Sequence, residues 1–356
     1  MRTARQLPDM QITTTFLTEE ALRVLQHWCI AVTAEAIAPG SGTANASAIV
    51  TLPDRRLMLR RRNPRYARAD WARFDHALLA HLAAEGLPVP HGVPGPDGYA
   101  WLAEGERVYE LFEFIEGDQH REGDARELPE AGATLARLHL SAAGFRPPVE
   151  KPWPRFHDPK DLPDWIWPLM DRASGGQREV MEQALELARA LAERLPDELY
   201  QALPQTIVQG DYHPANLTFR AGRVVGVFDW DWASRQPRMV DVADGLLFFC
   251  GVRREPLIAG DIWSLTGAFA IGEERVEQFL NGYRRAITPT ADELRALPDL
   301  MRARWLYCRV DAARRKVEPA RAVEFITKEL ELPLEGVARL EAGLIASRTE
   351  HPPTTC

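Results

Sequence analysis

The segments VQGDYHPANLTF (208–219) and VVGVFDWDWAS (224–234) determine how the rest of this 356-residue sequence is interpreted. Asp211 and Asn216 are five residues apart, and Asp229 follows thirteen residues later. Short apolar runs that are typical of strands flank these residues at Ile207–Val208, Leu217–Phe219 and Val224–Phe228. The pattern predicts a loop followed by a hairpin, which would place three oxygen-bearing side chains at one end of a small sheet.

This set of side chains suits the transfer of a phosphoryl group from a nucleotide to a hydroxyl. One carboxylate must orient the hydroxyl and accept its proton, while an amide oxygen and a second carboxylate hold Mg²⁺ against the triphosphate. Magnesium prefers oxygen ligands and takes several of them from phosphate and water. The competing interpretation is that Asp211 and Asn216 only cap turns, but the flanking strands favour a site. His213 is interpreted as a structural loop residue.

Composition narrows the class of protein. Acidic residues exceed basic ones, 51 to 43, and the net charge is −8, which argues against a general nucleic-acid binder. The sequence has neither the ~20 apolar residues of a membrane span nor the apolar run of a secretion signal. Its four cysteines lack CxxC spacing, which disfavours a zinc site or a disulfide framework. We therefore expect a cytoplasmic protein that binds neither membranes nor nucleic acid.

The apolar periodicity predicts an α+β protein. The first third should contain a helix at 16–27, a hairpin of Ala46–Leu52 with Arg56–Arg61, a helix from Asp70 to Ala84, and strands at Tyr99–Ala103 and Val108–Phe114. After a connector at Glu113–Asp118, helices are predicted at Pro129–Ala142, Gln177–Leu195, Glu274–Arg285, Ala291–Arg315 and Pro319–Glu331. The proline-rich segment 147–168 is interpreted as an ordered surface insertion, and the tail from Ser347 as loose.

The motif GDYHPAN (210–216), followed by FDW (228–230), resembles the catalytic loop of the aminoglycoside phosphotransferases and their relatives, the choline, homoserine and methylthioribose kinases. The resemblance implies a two-lobed, protein-kinase-like fold, with a small antiparallel-sheet N-lobe and a larger helical C-lobe. It also implies that ATP or GTP is used together with Mg²⁺. By position, it makes Asp211 the catalytic base, and Asn216 and Asp229 the magnesium ligands.

Three residues near the motif bear on whether the loop is functional. Asp241 in RMVDVADGL matches the aspartate that braces the family's catalytic loop through backbone hydrogen bonds, and His213 is expected to support the same loop. Gln209 is a departure, because the family usually has histidine or a similar residue before Gly-Asp. That position supports the loop rather than reacting, so the intact order of base, asparagine and metal aspartate indicates an active enzyme.

The N-terminal part of the resemblance is weaker. Leu57–Arg60 resembles the strand that ends in the family's phosphate-binding lysine, and residues 74–90 resemble the helix that carries its acidic partner. The corresponding pair here would be Arg60 and Asp75. Arg61 could supply the cation instead, or the basic run could be only a solvated strand edge.

The remaining nucleotide contacts follow from the same resemblance. In the phosphate-covering turn, Gly42 and Thr43 would approach the nucleotide, and the backbone of Glu113 and Ile115 would bind adenine. The chain would then divide into a nucleotide-covering lobe, a hinge, a helical lobe that carries the acceptor site, and a tail, at 1–112, 113–118, 119–346 and 347–356.

The phosphate acceptor is less well defined than the reaction. Residues 276–306 resemble the corresponding segment of bacterial type II homoserine kinases, which favours a small amino alcohol or hydroxy amino acid. Carboxylates that could instead receive a polycationic aminoglycoside are Asp118, Glu122, Asp124, Asp231 and Asp244. Rings that could form a choline-like cage are Trp153, Trp165, Trp167, Trp230 and Trp232. A stress-response protein serine/threonine kinase and a non-catalytic nucleotide-binding scaffold are further alternatives.

Overall fold

The computed structural model describes residues 16, 18–40, 45–121, 124–255, 257–258 and 261–349. These residues form two compact units. The first comprises the described residues up to Ala80, together with Pro90–Ile115 and Pro147–Lys151, and the second comprises His81–Val89, Glu116–Arg146 and the described chain from Pro152 onward. Within the described ranges, none of the helices combines the length and the apolar character that crossing a membrane requires.

The first unit contains one antiparallel sheet. Its strands are β1 (Ile37–Pro39), β2 (Ala46–Thr51), β3 (Arg56–Arg61), β4 (Trp101–Glu104) and β5 (Arg107–Glu113), in the order β1-β2-β3-β5-β4. Its helices are α1 (Thr18–Leu25) and the residues up to Ala80 of α2 (Ala69–Ala84). Along β3 the side chains alternate, so that Leu57 and Leu59 enter the same buried cluster as Val24 and Leu25 of α1.

The predicted hairpin in this unit is confirmed. Ala46 pairs with Arg61 and Thr51 with Arg56, and the Leu52 N–H donates to the Arg55 carbonyl at 2.8 Å to close the turn. Strand β1 was not predicted. It has only three residues and ends in proline, so it is too short to show the alternation by which strands are recognised.

The second unit is mainly helical. Its helices are α3 (Glu127–Gly144), α4 (Leu162–Ile166), α5 (Gly176–Arg194), α6 (Asp197–Ala202), α7 (Met239–Phe249), α8 (Glu273–Arg284), α9 (Ala291–Arg315), α10 (Ala322–Thr327) and α11 (Glu331–Thr349). Helices α3 and α8 cross closely at two glycines: a Cβ on Gly132 would lie 2.0 Å from the Phe279 carbonyl oxygen, and one on Gly282 would lie 1.9 Å from that of Pro129. Only glycine permits this approach.

Three small antiparallel ladders complete the second unit. Their strands are β6 (Gln205–Val208) with β9 (Ser234–Pro237), β7 (Leu217–Arg220) with β8 (Arg223–Val227), and β10 (Gly251–Arg253) with β11 (Phe269–Ile271). The hairpin of β7 and β8 is therefore nested between β6 and β9. As a result, the segments 209–216 and 228–233 both run between the same two ladders, and the residues of the predicted site are brought together.

The structure corrects several predicted elements. The single helix expected at Pro319–Glu331 is divided, because Glu329 adopts a left-handed conformation with φ of 52° between α10 and α11. Of the tail expected from Ser347, the first three residues belong to α11, which continues to Thr349, and 350–356 lie outside the described residues. Helix α7 was missed because it is buried on almost every side and so lacks the polar face of an amphipathic helix.

The proline-rich segment 147–168 lies only partly at the surface: Trp167 is 64% exposed, but other side chains of the segment are buried. Lys151, Phe156 and His157 within it are at most 6% exposed. The Trp153 ring centroid lies 6.2 Å from that of Trp232, so the segment packs against residues just after the site. The interpretation missed the buried side chains because proline content indicates irregular backbone and does not show which residues are buried.

Candidate active site

Asp211 lies directly after Gly210, whose φ of 91° is in the left-handed region that favours glycine. The Asp211 N–H donates to the Gln209 Oε1 at 2.7 Å. The Asp211 Oδ2 accepts hydrogen bonds from His213 Nε2 at 3.1 Å and from Asn216 Nδ2 at 3.3 Å. The carboxylate is thus fixed by residues of its own loop, yet its side chain remains 29% exposed.

Asn216 and Asp229 are brought close to this loop by the β7–β8 hairpin. The Asn216 Nδ2 also donates to the Asp211 carbonyl at 2.9 Å, so the Asn216 amide oxygen points away from Asp211. The Asn216 carbonyl accepts from the Phe228 N–H at 2.8 Å. Asp229 follows Phe228 and has a φ of 57°, a conformation that aspartate tolerates better than most residues.

Gln209 joins the two segments of the site. Its Oε1 accepts from the Asp211 N–H, and its Nε2 donates to the carbonyls of Phe228 and Asp229 at 2.9 and 2.8 Å. Gln209 is 2% exposed, so all three bonds are protected from water. The glutamine that departs from the family pattern therefore supports the loop and connects Asp211 to the Asp229 segment.

Asp241 braces the same loop from α7. Its Oδ2 accepts from the Gln209 N–H at 2.7 Å, and its Oδ1 accepts from the Gly210 N–H at 2.8 Å. His139 of α3 contacts the Asp241 Oδ2 through Nε2 at 3.1 Å and the Tyr283 hydroxyl through Nδ1 at 2.9 Å. Because these groups are buried, the network holds the backbone just before Asp211 rigidly.

Arg304 is a site residue that the sequence did not reveal. From α9, its Nη2 donates to the Asp211 Oδ1 at 3.0 Å, and its Nε donates to the Asp244 Oδ1 at 2.5 Å. Arg304 lies 93 residues from Asp211 in the chain, and no local spacing indicates the contact. The only available signal was a charged residue within the predicted helix Ala291–Arg315, which is ordinarily a solvated position.

The charges of these neighbours shift the pKa values at the site. Burial would raise the pKa of Asp211, but the charge and hydrogen bond of His213 and the charge of Arg304 outweigh it, and the pKa is lowered far below its usual range. Burial would lower the pKa of His213, but the Asp211 carboxylate raises it overall. Burial, opposed by Arg304, raises the pKa of Asp244 to about 7. Asp211 is therefore an anion at neutral pH.

In the first unit, Asp75 has other partners than the predicted Arg60. Asp75 pairs with Arg62 at 2.7 Å and with Lys151 at 2.6 Å, and Arg60 pairs with Glu110 at 3.1 Å. Glu110 also pairs with Arg62, whose Nη2 lies 2.6 Å from the Glu110 Oε1. The register explains this difference, because Arg60 faces Glu110 across the β3–β5 ladder, whereas Arg62 follows the strand and turns toward α2.

The other residues predicted to contact the nucleotide differ in the partners that they already have. Gly42 and Thr43 lie outside the described residues. Arg61 pairs with Glu20 at 2.6 Å. The Glu113 N–H already donates to the His91 carbonyl at 2.9 Å, so Glu113 could offer adenine only its carbonyl group. Among the backbone bonds of the described residues, none uses the Ile115 N–H.

The residues proposed for other acceptors are only partly accessible. Asp231 and Asp244 are 2% and 0% exposed, so neither carboxylate is presented to solvent for a polycationic acceptor. Asp118 pairs with Arg121 and Asp124 with Arg126, while Glu122 lies outside the described residues. Trp230 packs in the core, where its indole N–H donates to the Val227 carbonyl at 2.8 Å.

Comparison with known proteins gives a consistent assignment. The model of a phosphotransferase enzyme family, APH, matches residues 35–297. A homoserine kinase of Rhodopseudomonas palustris (strain BisA53) is 26% identical over 260 residues, which cover 73% of this chain and 70% of that protein. A homoserine kinase of Sinorhizobium medicae (strain WSM419) is 28% identical over 236 residues, 66% of this chain and 65% of that protein. The chain thus spans about two thirds of the length of these relatives.

Solved structures share the fold over more of the chain. A microcompartment-associated aminopropanol kinase is 19% identical with a TM-score of 0.66, covering 91% of this chain and 97% of its own. An amicoumacin kinase in complex with AMP-PNP, Ca²⁺ and Ami is 14% identical with a TM-score of 0.64, covering 90% and 96%. The predicted α+β, protein-kinase-like fold and the predicted enzyme class are confirmed. The chain belongs to the APH family of phosphotransferases.

Proposed function

We propose that this chain transfers the γ-phosphoryl group of ATP to the hydroxyl of a small amino alcohol or hydroxy amino acid, with Asp211 as the catalytic base. The observation that carries the proposal is the partly exposed carboxylate of Asp211, held by its own loop beside Asn216 and tied through Gln209 to the Asp229 segment. Phosphoryl transfer depends mainly on such positioning.

In this reaction, the acceptor oxygen forms a bond to the γ-phosphorus, and the bond from that phosphorus to the oxygen bridging to the β-phosphate breaks. The electron pair of the broken bond leaves with ADP. The Asp211 carboxylate orients the hydroxyl and accepts its proton. A strongly lowered pKa suits a base that acts late, because the loose transition state needs little proton transfer before the phosphoryl group has moved.

The residues present fit a magnesium ion. Asn216 and Asp229 would supply an amide oxygen and a carboxylate, both hard oxygen donors. Across the described ranges, no group of three or more His, Cys, Asp or Glu side chains is arranged to hold a metal. The two protein oxygens of Asn216 and Asp229 would leave the other positions to phosphates and water, which is the coordination that Mg²⁺ usually takes. When bound, Mg²⁺ would neutralise the charge that develops between the β- and γ-phosphates.

The nucleotide contacts in the first unit are also proposed. Arg60 at the end of β3 is 15% exposed through its side chain, whereas Arg62 is 2% exposed and bound to two carboxylates. We therefore assign Arg60 to the phosphates and Arg62 with Asp75 to structural support. The Glu113 carbonyl and the Ile115 N–H would bind the base of ATP or GTP, and Gly42 and Thr43 would cover the phosphates.

The acceptor class draws its support from the relatives. Homoserine kinases and an aminopropanol kinase are among the proteins that this chain resembles, and both names describe small acceptors with an amine and a hydroxyl. An aminoglycoside or other antibiotic kinase is the second candidate, favoured by a further solved aminoglycoside phosphotransferase with a TM-score of 0.62.

A screen of ATP consumption tests the proposal. The panel would contain homoserine, 3-aminopropan-1-ol, choline, an aminoglycoside, an amino sugar and a serine/threonine peptide pool, each assayed with Mg²⁺ and against an acceptor-free blank. We expect turnover with homoserine or 3-aminopropan-1-ol, and phosphorylated product detected by mass spectrometry. ATP binding without turnover of any acceptor would favour the scaffold alternative, and turnover confined to the aminoglycoside would favour the second candidate.

A further inference from the structure

The Arg304 guanidinium is held on one edge and reaches the base with the other. Its Nε donates to the buried Asp244 at 2.5 Å, and its Nη2 donates to the Asp211 Oδ1 at 3.0 Å. The Phe248 ring centroid lies 5.2 Å from the guanidinium carbon. With the Nε side anchored by Asp244 and the plane supported by Phe248, a small tilt of the whole planar guanidinium about the Nε–Asp244 contact would carry the Nη edge away from Asp211.

This contact conflicts with the proposed role of Asp211. The Asp211 Oδ2 already accepts hydrogen bonds from His213 and Asn216 of its own loop. Oδ1 is therefore the oxygen that remains for an acceptor hydroxyl. A guanidinium at 3.0 Å from Oδ1 occupies part of the position that the acceptor hydroxyl would need. The Arg304–Asp211 contact is therefore better suited to the state before the acceptor binds.

The group that would draw Arg304 away from Asp211 should be an anion whose shape matches the guanidinium. The two Nη nitrogens of arginine form a planar fork that binds a carboxylate bidentately. Among the described hydrogen bonds of Arg304, none uses Nη1, and the side chain is 9% exposed. An acceptor carboxylate could bind both Nη nitrogens while Nε stays on Asp244.

We propose that Arg304 is the specificity-determining residue for a hydroxy acceptor that carries a carboxylate: its Nη edge passes from Asp211 to the acceptor carboxylate and leaves the Asp211 Oδ1 for the hydroxyl. The proposal rests on the phosphotransferase function above. Homoserine has suitable dimensions, since three carbons separate its carboxyl carbon from its hydroxyl oxygen. When Arg304 binds the acceptor carboxylate, it also releases Asp211. An acceptor without the carboxylate leaves Asp211 paired with Arg304.

The first test compares two acceptors on the wild-type chain. Homoserine and 3-aminopropan-1-ol carry the same primary hydroxyl and amine, and they differ by the carboxylate. We expect kcat/KM for homoserine to exceed that for 3-aminopropan-1-ol by on the order of 10²-fold, the value of a charge-assisted hydrogen-bonded contact. Equal values, or a preference for 3-aminopropan-1-ol, would overturn the proposal without any variant.

The second test uses Arg304→Met and Arg304→Lys, with Arg315→Met as the matched control. Arg315 lies on the same helix but is 39% exposed and pairs with Asp311. We expect the homoserine preference to fall to within about threefold in Arg304→Met, to be partly kept in Arg304→Lys, which offers a point charge rather than a fork, and to be retained in the control. A Met variant that loses activity on both acceptors equally and keeps the preference would show a structural role only.

Two controls keep the outcomes separate. Circular dichroism reports whether Arg304→Met folds, and if it does not, Arg304→Lys and the wild-type ratio decide. If none of the acceptors in the panel supports ATP consumption, the proposed function is contradicted. A chain that phosphorylates 3-aminopropan-1-ol as efficiently as homoserine contradicts the role of Arg304 alone.

Discussion

Two ion-pair clusters, one in each unit, are built from the same residue types but differ in exposure. In the second unit, the Asp211 side chain is 29% exposed and is held at 3.0–3.1 Å by Arg304 and His213. In the first unit, Asp75 is 1% exposed and is held at 2.6–2.7 Å by Lys151 and Arg62. A carboxylate that keeps contact with solvent can meet a substrate, whereas one fully enclosed by cations can only stabilise the fold.

The largest expected effect follows from Asp211→Asn. The amide cannot accept the hydroxyl proton, so we expect kcat to fall by roughly 10²–10⁴. The nucleotide dissociation constant and the midpoint of urea unfolding should change little, because the amide keeps the shape of the side chain. Steady-state kinetics and nucleotide titration measure these effects. An equal loss of nucleotide binding and rate would mean that Asp211 holds the nucleotide rather than acting as a base.

Asp75→Ala should instead lower the free energy of unfolding, which Asp211→Asn leaves nearly unchanged. It leaves the buried cations of Arg62 and Lys151 without this partner, and breaking a buried ion pair costs roughly 3–5 kcal/mol in the free energy of unfolding. The control is Asp70→Ala on the same helix. The Asp70 side chain is 43% exposed and pairs with Arg68, so its removal should cost less than about 1 kcal/mol. Urea unfolding that shows equal losses would argue against the buried cluster.

The two clusters also differ in how far the sequence could predict them. The contacts of Asp211 with His213 and Asn216 join residues two and five positions apart, so a motif fixes them locally. Arg62 and Lys151 lie 13 and 76 residues from Asp75, and their contacts depend on strand register and packing. For the same reason the hairpin of β2 and β3 was predictable, whereas the choice of Arg62 over Arg60 was not.

Arg304 shows that the same limit applies inside the active site. The sequence indicated Asp211, Asn216 and Asp229 as a candidate site because they lie within nineteen residues of one another. Arg304 reaches Asp211 only because α9 packs on α7, which carries Asp244. Gln209 was flagged as a departure from the family, but its three hydrogen bonds became visible only when segments 209–216 and 228–233 were placed together.

A smaller effect is expected when the charge of the proposed metal ligand is removed. Asp229→Asn keeps a residue that tolerates the observed φ of 57°, but it replaces a carboxylate by a neutral amide. We expect the affinity for ATP in the presence of Mg²⁺ to fall at least about 10-fold. With EDTA, variant and wild type should bind ATP equally. A difference that persists in EDTA would show that Asp229 contacts the nucleotide or the fold rather than the metal.

The smallest effect concerns His213 and pH. The pKa of His213 is raised by Asp211, so the folded state holds this proton more tightly than the unfolded state does. The resulting stabilisation is fully present below the ordinary histidine pKa of about 6.5 and is lost as pH rises through the raised value. The pair is part-exposed, which limits its contribution to about 1 kcal/mol or less.

His213→Gln should therefore reduce the fall in unfolding free energy between pH 5.5 and 8.5 by that amount. The raised pKa of Asp244, about 7, lowers stability over the same interval, because the folded state binds a proton that the unfolded state has released. Urea unfolding of both proteins at both pH values gives a double difference that contains the His213 contribution together with its charge interaction with Asp244. A double difference of zero would mean that His213 is neutral in the folded state and orients Asp211 by hydrogen bonding alone.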